Sequence, residues 1–247
     1  MSFILETCVD SVESAMEAVK GGANRLELCS NLIIGGTTPN INLFKLIKEK
    51  NNIKINVLIR PRYGDFCYTE NEFEIMKRDI QMFKKIGANG VVIGILKADG
   101  TLDMKRMREL IAEAEGMHIT LHRAFDVCKD PFVTLEEAKK LGINSILTSG
   151  QKNKCTEGRE LLKELVEKSE DKIEILIGSG INSSNVEKII SYTKSYAVHT
   201  SGKMEVESDM NYRKEDISMG FPIISEYIIL RTKREEISKI REVLEKV

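Results

Sequence analysis

The sequence predicts a single-domain α/β fold, the (β/α)8 or TIM barrel. Strand-like and helix-like segments alternate eight times along the chain. Its 247 residues match the length that such a barrel uses as one domain. Ionisable side chains also gather at the C-terminal ends of the strand-like segments rather than at their starts. Alternating units of this size imply parallel strands with right-handed crossovers. A doubly wound open sheet is the other arrangement of such units, but no GxGxxG turn follows the first strand. No linker, low-complexity stretch or charge block divides residues 1–247.

Phe3-Ile4-Leu5 opens a strand read over 3–7. Val12 to Lys20 follows as a helix stopped at Gly21-Gly22, and residues 25–28 form the second strand. Asn40 caps a helix from Ile41 to about Lys50. Lys54 to Arg60 alternates and carries β-branched residues, a strand over 54–60. Thr69 or Glu70 opens an amphipathic helix to about Ile86, where Gly87 ends it. Gly90 to Gly94 is a short buried strand. The pattern then gives a helix over 103–115, a strand over 118–122, a helix over 133–141 ending at Gly142, and a strand over 145–148. A helix over about 156–168 precedes a strand over 173–177, a helix over 183–191 and a strand over 196–199. The last helix covers about 233–246. The segment 203–229 reads as a long loop containing Met210-Asn211-Tyr212-Arg213 and Gly220-Phe221-Pro222. A loop this long on the functional face of a barrel is a lid or an oligomer contact.

Hydrophobic residues make up 42% and charged residues 30%, enough to bury a sizeable core. The formal net charge of −1 supplies no field for nucleic acid or an anionic membrane. No apolar run reaches the roughly 18–20 residues of a membrane span. Met1 to Glu6 lacks a basic region, so no signal peptide is expected. The five cysteines are odd in number and contain no CxxC pair, which predicts reduced thiols and a cytoplasmic protein.

Barrel chemistry sits at the C-terminal strand ends. There the sequence places Glu6, Glu27, Arg60, His122, Asp126 and His199, a ring read as catalytic. Buried carboxylates are costly unless paired or used, and imidazoles near them can move protons at neutral pH. On a strand His122 and Arg123 point to opposite sides. Arg60 and Arg62 could clamp a carboxylate or phosphate bidentately. For any one of these residues an ion pair between loops is the alternative, with Arg62 and Asp65 the nearest example. Gly178-Ser179-Gly180 lets backbone approach a ligand, amides near Ser183-Ser184 can point at an anion, and Thr200-Ser201-Gly202 adds hydroxyls. The expected ligand is therefore a small phosphorylated or carboxylated metabolite; no organic cofactor motif is present.

Leu5-Glu6-Thr7-Cys8 is nearly repeated by Leu26-Glu27-Leu28-Cys29. On adjacent strands the repeat sets Cys8 and Cys29 at matching ends, where two thiolates could hold a soft ion such as Cu(I). The spacing is not that of a zinc site, and a buried Cys is commonly just a small apolar residue. Cys67, Cys128 and Cys155 form no such pattern.

Five co-linear motifs then resemble the copper homeostasis protein CutC family. They are Glu27-Leu28-Cys29 with Gly35-Gly36-Thr37-Thr38-Pro39, Ile59-Arg60-Pro61-Arg62-Tyr63-Gly64-Asp65-Phe66-Cys67-Tyr68, His122-Arg123-Ala124-Phe125-Asp126, Leu147-Thr148-Ser149-Gly150-Gln151, and Met210-Asn211-Tyr212-Arg213. The resemblance implies a (β/α)8 barrel, a cytoplasmic homo-oligomer and a part in copper handling. Thr37, Tyr63 and Ser179 depart from the family pattern, and Tyr63 is placed to narrow the mouth.

Overall fold

The computed structural model describes residues 3–214, 217, 219–220 and 225–246. Eight parallel strands close into a barrel in sequence order. They are β1 (Ile4–Val9), β2 (Arg25–Leu28), β3 (Lys54–Leu58), β4 (Gly90–Ile93), β5 (His118–Leu121), β6 (Ser145–Thr148), β7 (Glu174–Ile177) and β8 (Ala197–Thr200). β1 pairs with both β2 and β8, which closes the sheet. The helices are α1 (Val12–Lys20), α2 (Ile41–Lys50), α3 (Glu70–Lys85), α4 (Met104–Glu113), α5 (Pro131–Lys140), α6 (Arg159–Ser169), α7 (Val186–Thr193) and α8 (Arg234–Leu244). The predicted barrel is thus the observed one.

Local chemistry explains where elements begin. Thr69 and Glu72 form a reciprocal capping box on α3. Asp130 accepts from the Phe132 and Val133 amides with Pro131 at the first position, so α5 starts two residues before the expected 133. α7 starts at Val186 rather than 183 because Asn185 Oδ1 accepts from the Asn182 amide and keeps 182–185 as a turn. β1 runs on to Val9, beyond the expected residue 7. The ladder with β2 carries it there, since Cys8 pairs with Glu27 and Val9 with Leu28.

Strand alternation divides the core in two. Leu5, Val9, Leu26, Leu28, Ile55, Val57, Val91 and Ile93 pack outward in the cluster that includes the helices. Cys8, Cys29, Leu58 and Val92 form one inner cluster, and Leu147, Leu176 and Ala197 another. Between these apolar groups the lumen holds buried Glu6, Arg25, Asn56, Thr120, Ser145 and Glu174.

The segment read as a loop over 203–229 begins and ends in strands. β9 (Lys203–Glu207) and β10 (Ile228–Thr232) pair antiparallel as a separate ribbon. Lys203-Met204-Glu205-Val206-Glu207 alternates polar and apolar, a period-two signal that the loop reading passed over. Residues 215, 216, 218 and 221–224 of this segment, Phe221-Pro222 among them, lie outside the described residues. The Thr232 amide donates to Ser14 Oγ and ties the ribbon to α1.

Candidate functional site at the barrel mouth

A cavity of about 720 Å³ opens at the C-terminal end of the barrel. Cys8, Glu27, Arg60, His122, His199, Ser179, Gly180, Thr200, Ser201 and Gly202 all line it. Most of the expected site residues are therefore brought together.

Register places the ionisable groups. Cys8 sits opposite Glu27 across the β1–β2 ladder, and Glu6 sits opposite His199 across β1–β8. His199 lies between two carboxylates. Its Nδ1 is 2.8 Å from Glu6 Oε1 and its Nε2 is 3.5 Å from Glu27 Oε2. Burial alone would push the His199 pKa down, but Glu27 and Glu6 outweigh it and the net shift is upward. Glu6 does not line the cavity; it lies behind His199 and accepts from Arg25 Nε at 2.5 Å. Burial would raise the Glu6 pKa, yet Arg25 and His199 hold it at about 2. Glu27 goes the other way, raised by burial despite the nearby imidazole. Two carboxylates around one imidazole are thus driven apart, one fixed as an anion and one able to hold a proton.

Below this set, Arg25 Nη2 donates to Glu174 Oε1 at 2.7 Å, and Ser145 Oγ donates to the same oxygen at 2.8 Å. His118 Nε2 meets Ser145 Oγ at 2.9 Å. Sequence reasoning missed Arg25 and Glu174. The signal was present, since Arg25 shares strand parity with Glu27.

The two thiols meet, with Cys8 Sγ and Cys29 Sγ 3.6 Å apart. Cys29 is fully buried and does not reach the cavity, whereas Cys8 does. The hydrogen bond with Cys29, burial and the Glu27 carboxylate all push the Cys8 thiol up. Sγ of Cys8, a Glu27 oxygen and a His199 nitrogen all lie within 4.8 Å of one another.

Other residues take different positions from those expected. Arg60 lines the cavity, but Nη1 donates to Gly35 O at 3.2 Å and Gly36 O at 3.0 Å, and Nη2 donates to Gly64 O at 2.7 Å. It is not a free bidentate clamp. Arg62 orders its own loop through Glu72, Asp65 and the Cys67 carbonyl, and does not line the cavity. Asp126 also stays out of the cavity. It pairs with Arg123 and accepts from Thr148 Oγ1 and the Ser149 and Gln151 amides, fastening one loop to the next. Gly178 lies against Leu147 and His199 rather than in the lining. Ser179 Oγ donates to Asn153 O and Thr200 Oγ1 to Ile181 O, so both hydroxyls are committed within the chain. The Ser183 amide, expected to face an anion, and the Ser183 hydroxyl are taken by the Glu236 carboxylate at 2.6 and 3.0 Å.

His122 is 4% exposed, and its Nδ1 accepts from the Ala124 amide at 3.1 Å. Burial and then Arg60 pull its pKa down to about 3 from 6.5, so it is not the near-neutral acid–base group expected. Over that window the unfolded chain binds a proton that the folded one refuses, and stability rises with pH. Denaturation midpoints are expected to fall as pH drops from 6.5 towards about 3, and His122→Gln should flatten part of the fall. Equal slopes for the two proteins would contradict this placement of His122.

The comparisons agree with the motifs. The CutC family model matches residues 3–204. The family protein CutC of Parabacteroides distasonis is 44% identical over 239 residues, covering 96% of this chain and 98% of that one. The human copper homeostasis protein cutC homolog is 40% identical over 240 residues, covering 97% and 87%. A CutC crystal structure from Streptococcus agalactiae superposes with a TM-score of 0.77 at 30% identity, covering 81% of this chain and 98% of that one. A phosphoribosylanthranilate isomerase from Thermotoga maritima, at TM-score 0.57 and 13% identity, shares the barrel fold alone. Nearly the whole length is accounted for by one set of relatives, two of them named for copper homeostasis, and the chain belongs to the CutC family.

Proposed function

We propose that the protein takes part in copper homeostasis by binding Cu(I) at the floor of the barrel-mouth cavity, through Cys8 and Cys29 with His199 beside them. The carrying observation is the 3.6 Å separation of the two sulfurs. Two thiolates bonded at about 2.3 Å to one tetrahedral ion lie about 3.8 Å apart, so the pair needs almost no movement to share an ion. Thiolates are soft ligands that select Cu(I), and imidazole also suits copper. Cys8 is the point of entry because it lines the cavity. Its raised pKa means that binding must expel a thiol proton, and Glu27 is the adjacent base to receive it. A cytoplasmic setting belongs to this reading, since all five cysteines are free thiols.

The test is a Cu(I) titration of the reduced protein against a chelator of known affinity. One ion is expected per chain. Affinity should rise about tenfold per pH unit for each proton released, and fall at least about 100-fold in Cys29→Ser. Absence of uptake, or equal affinity in the variant, would remove copper from the function.

The cavity itself favours a second reading. A volume of about 720 Å³ is far more than one ion occupies and suits a small metabolite. In that reading Glu27 and His199 transfer protons at the cavity floor, with Glu6 holding His199 in place.

A further inference from the structure

Two buried donors beside the cavity have no hydrogen-bond acceptor among the described residues. A neutral imidazole carries one N–H and one bare nitrogen. Because His122 Nδ1 accepts from the Ala124 amide, the ring proton belongs on Nε2. That Nε2 has no hydrogen-bond partner among the described residues, and neither has Arg60 Nε; the Tyr68 hydroxyl, which acts electrostatically with Arg60, is likewise unpartnered. The rest of the Arg60 guanidinium is fixed by the carbonyls of Gly35, Gly36 and Gly64, so Nε cannot turn away to find one. A buried donor left unpaired keeps the cost of its lost hydration, and native proteins hold few such groups.

One aromatic ring lies against both side chains. The Phe66 ring centroid is 4.7 Å from that of His122, and Arg60 Cζ lies 5.1 Å from the Phe66 centroid. An aromatic face is a weak acceptor for N–H groups and a partner for a cation. Phe66 also lines the cavity, is only half-buried and sits in an exposed loop. Its backbone is held by the Leu96 amide, so the ring can swing while the chain stays in place.

We propose that Arg60 Nε and His122 Nε2 form a subsite for a carboxylate oxygen of a small carboxylic acid, with the Phe66 ring as its movable cover. The chemistry is selective. Two donors, one of them cationic, call for an oxygen acceptor and offer nothing to an ammonium or amide N–H. His122 remains the neutral donor through the physiological range, because its charged form is disfavoured by burial and by Arg60. The subsite deepens the metabolite reading above and does not require copper.

Histidine side-chain 1H–15N spectra test it, since the chain has three His. His122 should show the Nε2–H form, and added sodium pyruvate should shift its signal while leaving His118 unmoved. Phe66→Ala should bind pyruvate about tenfold more tightly, because the competent state no longer waits on ring displacement. Phe66→Leu serves if the alanine variant does not fold. An Nδ1–H form, or no shift of His122 in the uncovered variant, would overturn the subsite. A shift with unchanged affinity would overturn the role of Phe66. The readout is binding rather than turnover, so a negative result leaves the acid–base reading of Glu27 and His199 standing.

Discussion

Arg25→Met is expected to destabilise the barrel by about 3–5 kcal/mol at neutral pH, the scale seen when one partner of a buried ion pair is removed. Arg25 is 6% exposed and lies within hydrogen-bond distance of two carboxylates, Glu6 and Glu174. Without it both carboxylates stay buried with no guanidinium. Linkage gives the same scale. Holding Glu6 at about 2 instead of 4.5 corresponds to roughly 3 kcal/mol of stability, present above pH 4.5 and lost as pH falls through about 2. In the variant, burial acts unopposed by Arg25 and favours the protonated acid, so its deficit should shrink as pH drops below 4.5. Adding Glu6→Gln and Glu174→Gln should recover most of the loss, because neutral replacement of a whole buried set costs little. Chemical denaturation of the single and triple variants at neutral and acid pH decides it. A loss no greater than the 0–1 kcal/mol, roughly, of an exposed pair would mean that water reaches these charges.

Gly158→Ala should cost about 3 kcal/mol, at the upper end of overpacking effects. A Cβ there would stand 2.1 Å from Ser149 O, 2.7 Å from Gly150 O and 2.9 Å from Gly150 Cα. All three are backbone atoms and cannot rotate aside. The Ser149 loop is the one fastened by Asp126, and Arg123 reaches from the cavity wall to Ser149 Oγ at 2.9 Å. A displaced loop therefore carries the wall with it. Gly142→Ala is the control. Nothing lies within 4 Å of its Cβ, so it meets only the left-handed backbone at φ +70, roughly 1–2 kcal/mol. Thermal unfolding of the two variants should separate them clearly, and equal losses would contradict the backbone clash.

The barrel was legible because parallel strands and crossover helices leave two different periods in the sequence, and those periods survive without any knowledge of contacts. Glu6, Glu27 and His199 were legible for the same reason. Each lies on a strand, where parity decides whether a side chain faces the lumen. Asp126 and Arg62 lie past the strand ends, where parity no longer applies, and their loops turned them towards neighbouring backbone. Arg60 points inward as expected. Its Nη1 was claimed by glycine carbonyls from a loop some 25 residues earlier, a long-range pairing that no local pattern records, and its Nη2 by the Gly64 carbonyl in its own loop. Arg25 was overlooked because a charge at the start of a strand resembles turn chemistry. The structure carries it to the lumen, where Glu6 and Glu174 make its burial tolerable.

Pairing β1 with β8 has a consequence for self-association. A closed barrel offers no unpaired strand edge to another chain. Among the described residues the free β edges belong to the β9–β10 ribbon. β9 bears Lys203, Glu205 and Glu207 in alternation, charges of the kind that discourage a stray strand from adding on. Among the described residues, strand addition between copies can therefore run only through that ribbon, and its charge pattern, rather than the barrel wall, bears on which copies meet edge to edge.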